Sequence, residues 1–460
     1  MQIFINNFSN LAVMVKNRVN EFIGNPKKAF FTMSLPILVG MSVQALYNIV
    51  DTAFIGRLGS ESIAALTFAF PLFFIFIALN SGVGSGINSL VSRFLGANKR
   101  KDAENAALHG LFISIGLAII IFVLGMIFLK PIFLLFGAKN NVMELSIQYM
   151  SIILYGVFFM FPSFVFNSLF SAQGDTKTPM KVQISALILN IILDPIFIYG
   201  LDYGVRGAAI ATIIAFLFSL ILFIYYLEKK SYLRFRLKYF KPSLRICREI
   251  FMIGAPASLM VLIISFYVMF INRFMAHFGT DYIASFGIAS RLESLAIMPI
   301  VAFSLSLLTL VGMFFGAKRY DLLRSISWYG IKTATLMTSA IGLVFFVFPH
   351  IFLRIFTSDP SLLSIGAPFL RIDVLTFPLM TVTMLISRVM QGMGHGMPGL
   401  IVNLIRVFAV AVPLAYIFVF VFGFGYLSIA LAMIIGGLVS SIVAVIWLEM
   451  ELRGYDGIRH

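Results

Sequence analysis

Twelve long apolar runs follow one another along this chain of 460 residues. A run of 18 or more apolar residues can cross the hydrocarbon core of a bilayer as one helix. Inside a bilayer only helices and closed barrels satisfy every backbone polar group. The sequence therefore predicts an all-α polytopic membrane protein. The predicted spans are 32–55, 63–92, 104–129, 144–171, 179–200, 205–228, 249–276, 283–311, 326–350, 364–391, 397–422 and 426–450.

The composition excludes a soluble protein and a nucleic-acid partner. Apolar residues make up 60% of the chain and charged residues 12%, whereas soluble domains average about 45–50% and about 25%. The net charge of +15 comes from Lys and Arg in alternate loops, as topology signals do. Cys247 is the only cysteine, so the chain has no intrachain disulfide and no cysteine-based metal site.

The distribution of positive charge predicts the orientation. Most Lys and Arg residues lie at the two termini and in the loops on the side of a basic linker, 229–248. Positively charged loops stay in the cytoplasm, so both termini and the linker are predicted to be cytoplasmic. The first residues, 1–28, are predicted to form an amphipathic segment that lies on the membrane surface.

The two halves of the chain repeat at an offset of 220 residues. The stretch that begins SLPILVG aligns with GAPASLM, so that Pro36 meets Pro256 and Gly59 meets Gly279. After a one-residue slip, GVRGAAIATII aligns with GYLSIALAMII. Six spans per half make the repeats parallel, a plan found in transporters that alternate access around a central cavity. The predicted divisions are a first lobe 29–228, the linker 229–248, a second lobe 249–452 and a tail 453–460.

Two carboxylates within the predicted spans are present only in the first half. Asp51 aligns with Ile271, and Asp194 aligns with a region near Val412 and Pro413 that has no acid. A carboxylate at membrane depth costs about 2.5–3.5 kcal/mol on insertion scales, so it indicates a functional site. The repeated scaffold does not require these acids, which favours chemistry added to one lobe.

Polar side chains accompany both carboxylates at helical spacing. Asn190 precedes Asp194 by four residues, on the same helix face, and Pro195 frees the carbonyl of Ile191 by removing a backbone donor. On the first span Tyr47, Asn48 and Asp51 share a face, and Thr212 adds a hydroxyl on the sixth. These oxygen ligands suit a proton or an alkali cation better than a transition metal. The alternative is a hydrogen-bonded carboxyl that only ties helices together.

Other charges within the spans have weaker implications. Arg291 with Glu293, and Arg371 with Asp373, are opposite charges two residues apart, and such residues do not face each other on a helix. Pairing with other helices, or extension of the side chain to the membrane surface, is the expected role. The chain has no nucleophile–base pair and no nucleotide-binding motif. An enzyme or an ATP-driven pump is therefore not expected, and energy would come from an ion gradient.

The stretch QGDTKTPMKVQI…LNIILDPIFIYGLDYGVRGAAIAT, together with SLPILVGMSVQALYNIVDTAFIGRLG from Ser34, resembles the multidrug and toxic compound extrusion (MATE) transporters. The resemblance covers the chain from Ser34 to Glu451. It implies a V-shaped, twelve-helix protein of the inner or plasma membrane. Such a protein exports small cationic or amphipathic compounds in exchange for H⁺ or Na⁺ and, as we expect here, acts as a monomer without a further cofactor.

The resemblance is closest to the DinF-like branch of this family, whose cation site lies in the first lobe. By position, the resemblance implies an H⁺ or Na⁺ site made of Asp51, Asn190, Asp194 and Thr212. It implies that the neighbouring cavity groups are Tyr47, Asn48, Tyr149 and Asn167, and that helices bend at Pro36 and Pro195. A sodium site in the second lobe, as in the NorM-like branch, is not expected. Two alternatives remain: a flippase for lipids or lipid-linked sugars, and a receptor or scaffold that transports nothing.

Overall fold

The computed structural model describes residues 18–233 and 240–456, without the side chains of 47–49, 51–53 and 456. These residues form helices and connecting turns, and none of them lies in a β-strand. The main helices are α1 (Pro26–Gly56), α2 (Ser60–Gly96), α3 (Arg100–Leu135), α4 (Asn140–Ala172), α5 (Lys177–Pro195), α6 (Gly204–Lys230), α7 (Leu244–Met275), α8 (Thr280–Gly316), α9 (Tyr320–Val347), α10 (Pro360–Asp373), α11 (Thr376–Met393), α12 (Met397–Leu404) and α13 (Leu427–Asp456).

The predicted set of twelve spans is confirmed by these helices. Within the described residues, eleven helices are long and apolar enough to cross a membrane. The twelfth span is the pair α10 and α11, which bend by 47° at their junction. The chain is therefore a multi-pass membrane protein.

The first helix begins six residues before the predicted first span, because Asn25 and Pro26 form a helix start. The Asn25 side-chain oxygen accepts the backbone N–H of Lys28, and proline at the first helical position has no N–H to leave unpaired. Before this cap, residues 18–24 are helical. The rest of the predicted surface segment, residues 1–17, lies outside the described residues.

The helices form two compact units, and the chain passes from one unit to the other within α1 and again within α7. Among the described residues, the first unit holds 18–21 and Leu35–Gly254, and the second holds Phe22–Ser34 and everything from Ala255 onward. The two exchange points are 220 residues apart, the offset of the sequence repeat. After the linker, 229–248, the start of α7 thus still belongs to the first unit.

Specific contacts account for these two exchange points. In the second unit, the Ser34 hydroxyl donates to the Ser306 hydroxyl at 2.9 Å, and the ring of Phe30 stacks on Phe303 at 5.0 Å. In the first unit, the backbone of α7 comes so near α2 that a β-carbon at Gly254 would lie 2.9 Å from the carbonyl oxygen of Gly82. The start of each helix is thus packed before the chain passes into the other unit.

The repeat is visible in the backbone of both units. Gly59 (φ 106°) and Gly279 (φ 131°) precede α2 and α8 in a conformation that other residues rarely adopt, which explains why glycine occurs at both positions. Such matched turns indicate that the two units share one plan of helices.

Pro195 widens α5 instead of ending it. The segment Ile196–Gly200 continues the helix as a π-helical turn, in which the N–H of Leu201 reaches the carbonyl of Ile196 at 2.9 Å. The second unit has the matching turn at Ile417–Val421. Because π-helical turns are frequent at functional sites, the one that directly follows Asp194 indicates a functional site in this part of the first unit.

A further π-helical turn in the second unit explains the slip between the repeats. Up to Gly174 and Gly394 the offset is 220, but from Ile196 and Ile417 it is 221. Between these points α12 is followed directly by a π-helical turn at Ile405–Ala411. One inserted residue is absorbed in a helix by such a turn, and here the turn carries Arg406.

Candidate functional site

The Asp194 carboxylate is buried in the first unit beside Asn190. Their side chains are 0% and 3% exposed, and the Asn190 amide Nδ2 donates to Asp194 Oδ1 at 3.2 Å. The four-residue spacing thus places both groups on one helix face, as the sequence predicted. A buried carboxylate with one oxygen held by an amide can accept a proton or help to bind an alkali cation.

Two contacts hold α1 alongside α5 in the same direction. At one end, a β-carbon at Gly40 would lie only 2.9 Å from the side-chain oxygen of Gln183. At the other end, the Tyr199 hydroxyl donates to the backbone carbonyl of Phe54. The segment of α1 between these contacts is the one that carries Asp51.

Asp51 and Asp194 lie at the same distance along their helices from the contact between Gly40 and Gln183. Asp51 lies eleven residues after Gly40, and Asp194 lies eleven residues after Gln183. Each interval is α-helical and corresponds to about 16 Å, so the backbone of Asp51 lies at the level of Asp194. Three predicted site side chains lie outside the part that the structure describes: Tyr47, Asn48 and Asp51.

The sixth helix supplies the hydroxyl of Thr212 near the same level. α6 packs on the π-helical turn of α5 at Gly207, and it runs antiparallel to α5 from there. Gly207 meets the backbone of Phe197 and Ile198. Thr212 lies five residues after Gly207, so it comes level with the residues five positions before that contact, in the helical turn that contains Asp194. The Thr212 hydroxyl donates to the carbonyl of Ala208 at 2.9 Å, so it can offer a neighbour only its oxygen.

We expect Gly207→Ala to destabilise this contact. The new β-carbon would lie 2.5 Å from the carbonyl oxygen of Phe197 and 2.9 Å from the N of Ile198, and backbone atoms cannot rotate away. Overpacking of this kind costs about 1–3 kcal/mol, to be measured as a lower Tm of the purified protein. The matched control is Gly116→Ala on α3, where nothing lies within 4 Å; an equal loss in both variants would contradict the expectation.

The predicted cavity residues Tyr149 and Asn167 lie at different heights on α4. They are 18 residues apart, about 27 Å along a helix, so they cannot both contact Asp194 directly. Tyr149 is buried in the apolar cluster that also contains Ile198 of the π-helical turn and Ala208 of α6. Asn167 is half-buried.

The second unit contains a separate charged cluster that the sequence did not predict as a set. Glu293 of α8 interacts electrostatically with Asp373 and with Arg406, which lies in the π-helical turn Ile405–Ala411 directly after α12. The Arg406 guanidinium lies 5.6 Å from the ring centre of Tyr267 on α7. Asp373 is 1% exposed at the bend between α10 and α11, and Arg406 is 8% exposed. Glu293 thus interacts with another helix, as its spacing from Arg291 indicated.

The signal that could have identified this cluster is the one-residue slip between the repeats. An inserted residue in the eleventh span implies a π-helical turn, and the insertion falls near the only arginine within that span. Even so, the partners of Arg406, Glu293 and Tyr267, lie on two other helices. Spacing along one helix could not have revealed them.

The described side chains contain no transition-metal site. Among them, no three His, Cys, Asp or Glu residues lie close enough together to hold a metal ion. At the level of Asp194 lie one carboxylate, one amide and one hydroxyl, whose oxygens are ligands that hard cations accept.

Known proteins resemble this chain over most of its length. The family model described as MatE matches residues 36–196 and 256–417, one match in each half. The protein named "Probable multidrug resistance protein YoeA" of Bacillus subtilis is 27% identical over 391 residues, which cover 83% of this chain and 84% of the relative. The multidrug export protein MepA of Staphylococcus aureus is also 27% identical and covers 85% and 86%. A crystal structure of a MATE protein in a bent conformation superposes with a TM-score of 0.92 at 32% identity, over 96% of this chain and 98% of that one.

Proposed function

Because the chain belongs to the MatE family, it is a membrane transporter and not an enzyme, and we propose that it exports cationic and amphipathic organic compounds in exchange for H⁺ or Na⁺. The relatives named for multidrug export support the class of substrate. The observation that carries the coupling is the buried Asp194 with Asn190, level with Asp51, in the unit whose repeat partner lacks both acids.

The mechanism of coupling follows from the cost of a buried charge. With no ion bound, an ionised Asp194 next to a second carboxylate is unfavourable in a low-dielectric interior. A proton, or a sodium ion held by Asp51, Asn190, Asp194 and Thr212, removes that cost. Binding therefore favours the conformation in which α1, α5 and α6 close around the ion, and an ion can shift the equilibrium only through this difference in affinity.

Exchange requires that the ion and the organic compound favour different conformations. When the ion enters from outside, closure of α1 on α5 alters the surface that the first unit offers to the compound, which then leaves. When the ion is released into the cytoplasm, the helices relax and the compound can bind again. Pro36 and the π-helical turn after Pro195 are the points where α1 and α5 can bend without breaking regular hydrogen bonds.

This arrangement favours the DinF-like assignment over the alternatives. In the second unit, Glu293 interacts electrostatically with Asp373 and with Arg406, so the acids there have a cation near them. A lipid flippase would need cations directed at phosphate groups, whereas Arg406 interacts with Glu293. We also propose that the protein acts as a monomer in the cell membrane. Both of its termini would lie in the cytoplasm, as the positions of the positive charges indicate.

The test is export from cells that lack their own efflux pumps. Cells producing the protein should retain less of a fluorescent organic cation than cells without it. Of two specific ionophores, one that collapses the proton gradient and one that collapses the sodium gradient, the one that removes the coupling ion should restore retention. Export that persists after both gradients are collapsed, or headgroup flipping by the purified protein in vesicles, would contradict antiport.

A further inference from the structure

The Tyr199 hydroxyl makes a contact that the proposed site does not yet include. Tyr199 lies on the π-helical turn that follows Pro195, and its hydroxyl donates to the backbone carbonyl of Phe54 on α1. The rings of the two residues also meet edge to face, with centres 6.5 Å apart. A polar and an apolar contact thus join α1 to α5 at the same place.

The carbonyl of Phe54 lies in the last turn of α1, three residues after Asp51. Carbonyls in the last turn of a helix have no regular intrahelical partner. The Phe54 carbonyl accepts the N–H of Arg57 at 3.2 Å, and Tyr199 supplies the second donor. The end of α1 is therefore capped by a side chain from the helix that carries Asp194.

The second unit provides an internal comparison for this contact. By the repeat, Phe54 corresponds to Phe274 and Tyr199 to Phe420. The rings of Phe274 and Phe420 meet edge to face with centres 5.9 Å apart, nearly the geometry of the first unit. The ring contact therefore belongs to the shared scaffold, and only the first unit adds a hydroxyl.

The Tyr199 hydroxyl, like the two carboxylates, is present in the first unit and absent at the corresponding position of the second. Asp51 corresponds to Ile271, Asp194 has no acidic counterpart, and Tyr199 corresponds to a phenylalanine. A group that served packing alone would be needed equally in both units. Its presence only where the acids occur, and its bond to the turn of α1 that follows Asp51, connect it to the acids.

We propose that Tyr199 is a positioning residue of the ion-coupling site, whose hydroxyl holds the end of α1 so that the backbone of Asp51 stays level with Asp194. This rests on the proposed function. The hydroxyl contributes to the affinity for the ion, because without it α1 must be brought to α5 at the expense of ion-binding energy. It does not contact the organic compound or change the rate once the ion is bound.

The experiment measures transport of a fluorescent organic cation across the proteoliposome membrane at increasing concentrations of the coupling ion, for the wild type and for Tyr199→Phe. The variant should need about five-fold more ion for half-maximal transport, the factor for one neutral hydrogen bond. If the ion is a proton, the midpoint should move about 0.7 pH unit to lower pH. The maximal rate should stay within about two-fold of the wild type, because a single net hydrogen bond is all that changes. The ring contact of Phe420 indicates that phenylalanine fits at position 199.

The matched control is Tyr203→Phe, because Tyr203 is an exposed tyrosine that lies just beyond the same π-helical turn. An unchanged half-saturation in Tyr199→Phe, an equal shift in Tyr203→Phe, or a fall in maximal rate without a shift would each overturn the role of Tyr199. A wild-type protein without any ion dependence would instead overturn the proposed function. The two failures are therefore distinct.

Discussion

Replacing Asp194 by asparagine should lower coupled export by about 100-fold or more. Asp194 is fully buried, and asparagine keeps its size but can neither release a proton nor carry the charge that attracts a cation. Loss of a charged partner in a buried site costs about 3–5 kcal/mol, and each 1.4 kcal/mol is about a factor of ten. The measurement is the initial rate of organic-cation export driven by an imposed ion gradient.

The matched control for this change is Asp202→Asn, just beyond the π-helical turn. Asp202 is exposed and has a φ of 54°, a conformation that asparagine also tolerates. We expect export by this variant to match the wild type. Near-normal export by Asp194→Asn, or an equal loss in Asp202→Asn, would refute the role of Asp194.

Replacing Arg406 by glutamine should destabilise the second unit by about 3–5 kcal/mol, the cost of leaving a buried charge without its partner. Arg406 is 8% exposed and is the cation that interacts electrostatically with Glu293, the acid that repels Asp373. The double variant Arg406→Gln with Glu293→Gln removes one charge of each sign and should regain most of that stability. The measurement is the Tm of the purified protein in detergent.

The control for Arg406 is Arg371→Gln on α10. Arg371 is exposed, and its Nε donates to the carbonyl of Phe346 at 3.3 Å, so its loss should change the Tm little. If the losses from Arg406→Gln and Glu293→Gln simply add in the double variant, the two residues do not interact. That result would contradict the electrostatic interaction between Arg406 and Glu293.

The spans and the repeat could be predicted because their signals are local. Apolar length determines which segments cross a membrane, and paired glycines such as Gly59 and Gly279 determine where both units turn. Pro195 indicated a disturbed α5, but the sequence could not show whether the helix would break, kink or widen. That outcome depends on how α6 packs against the freed backbone at Gly207.

Contacts between distant parts of the chain could not be predicted from the sequence. The exchange of helix α1 between the units depends on packing such as Ser34 with Ser306, 272 residues apart. The role of Tyr199 was also missed, because a tyrosine near the end of a span usually marks the membrane surface. Only the carbonyl that it meets, and the phenylalanine in its place in the second unit, distinguish it from that common use.

The central claim is that the ion and the organic compound are exchanged through Asp194. The most direct measurement is ion flux in proteoliposomes driven by a gradient of the organic compound alone, followed with a pH-sensitive dye and with radioactive sodium. The account predicts a flux of one of the two ions opposite to the compound in the wild type, and none in Asp194→Asn. The same ion flux in both proteins, or compound transport by the wild type without any counterflow of ions, would contradict it.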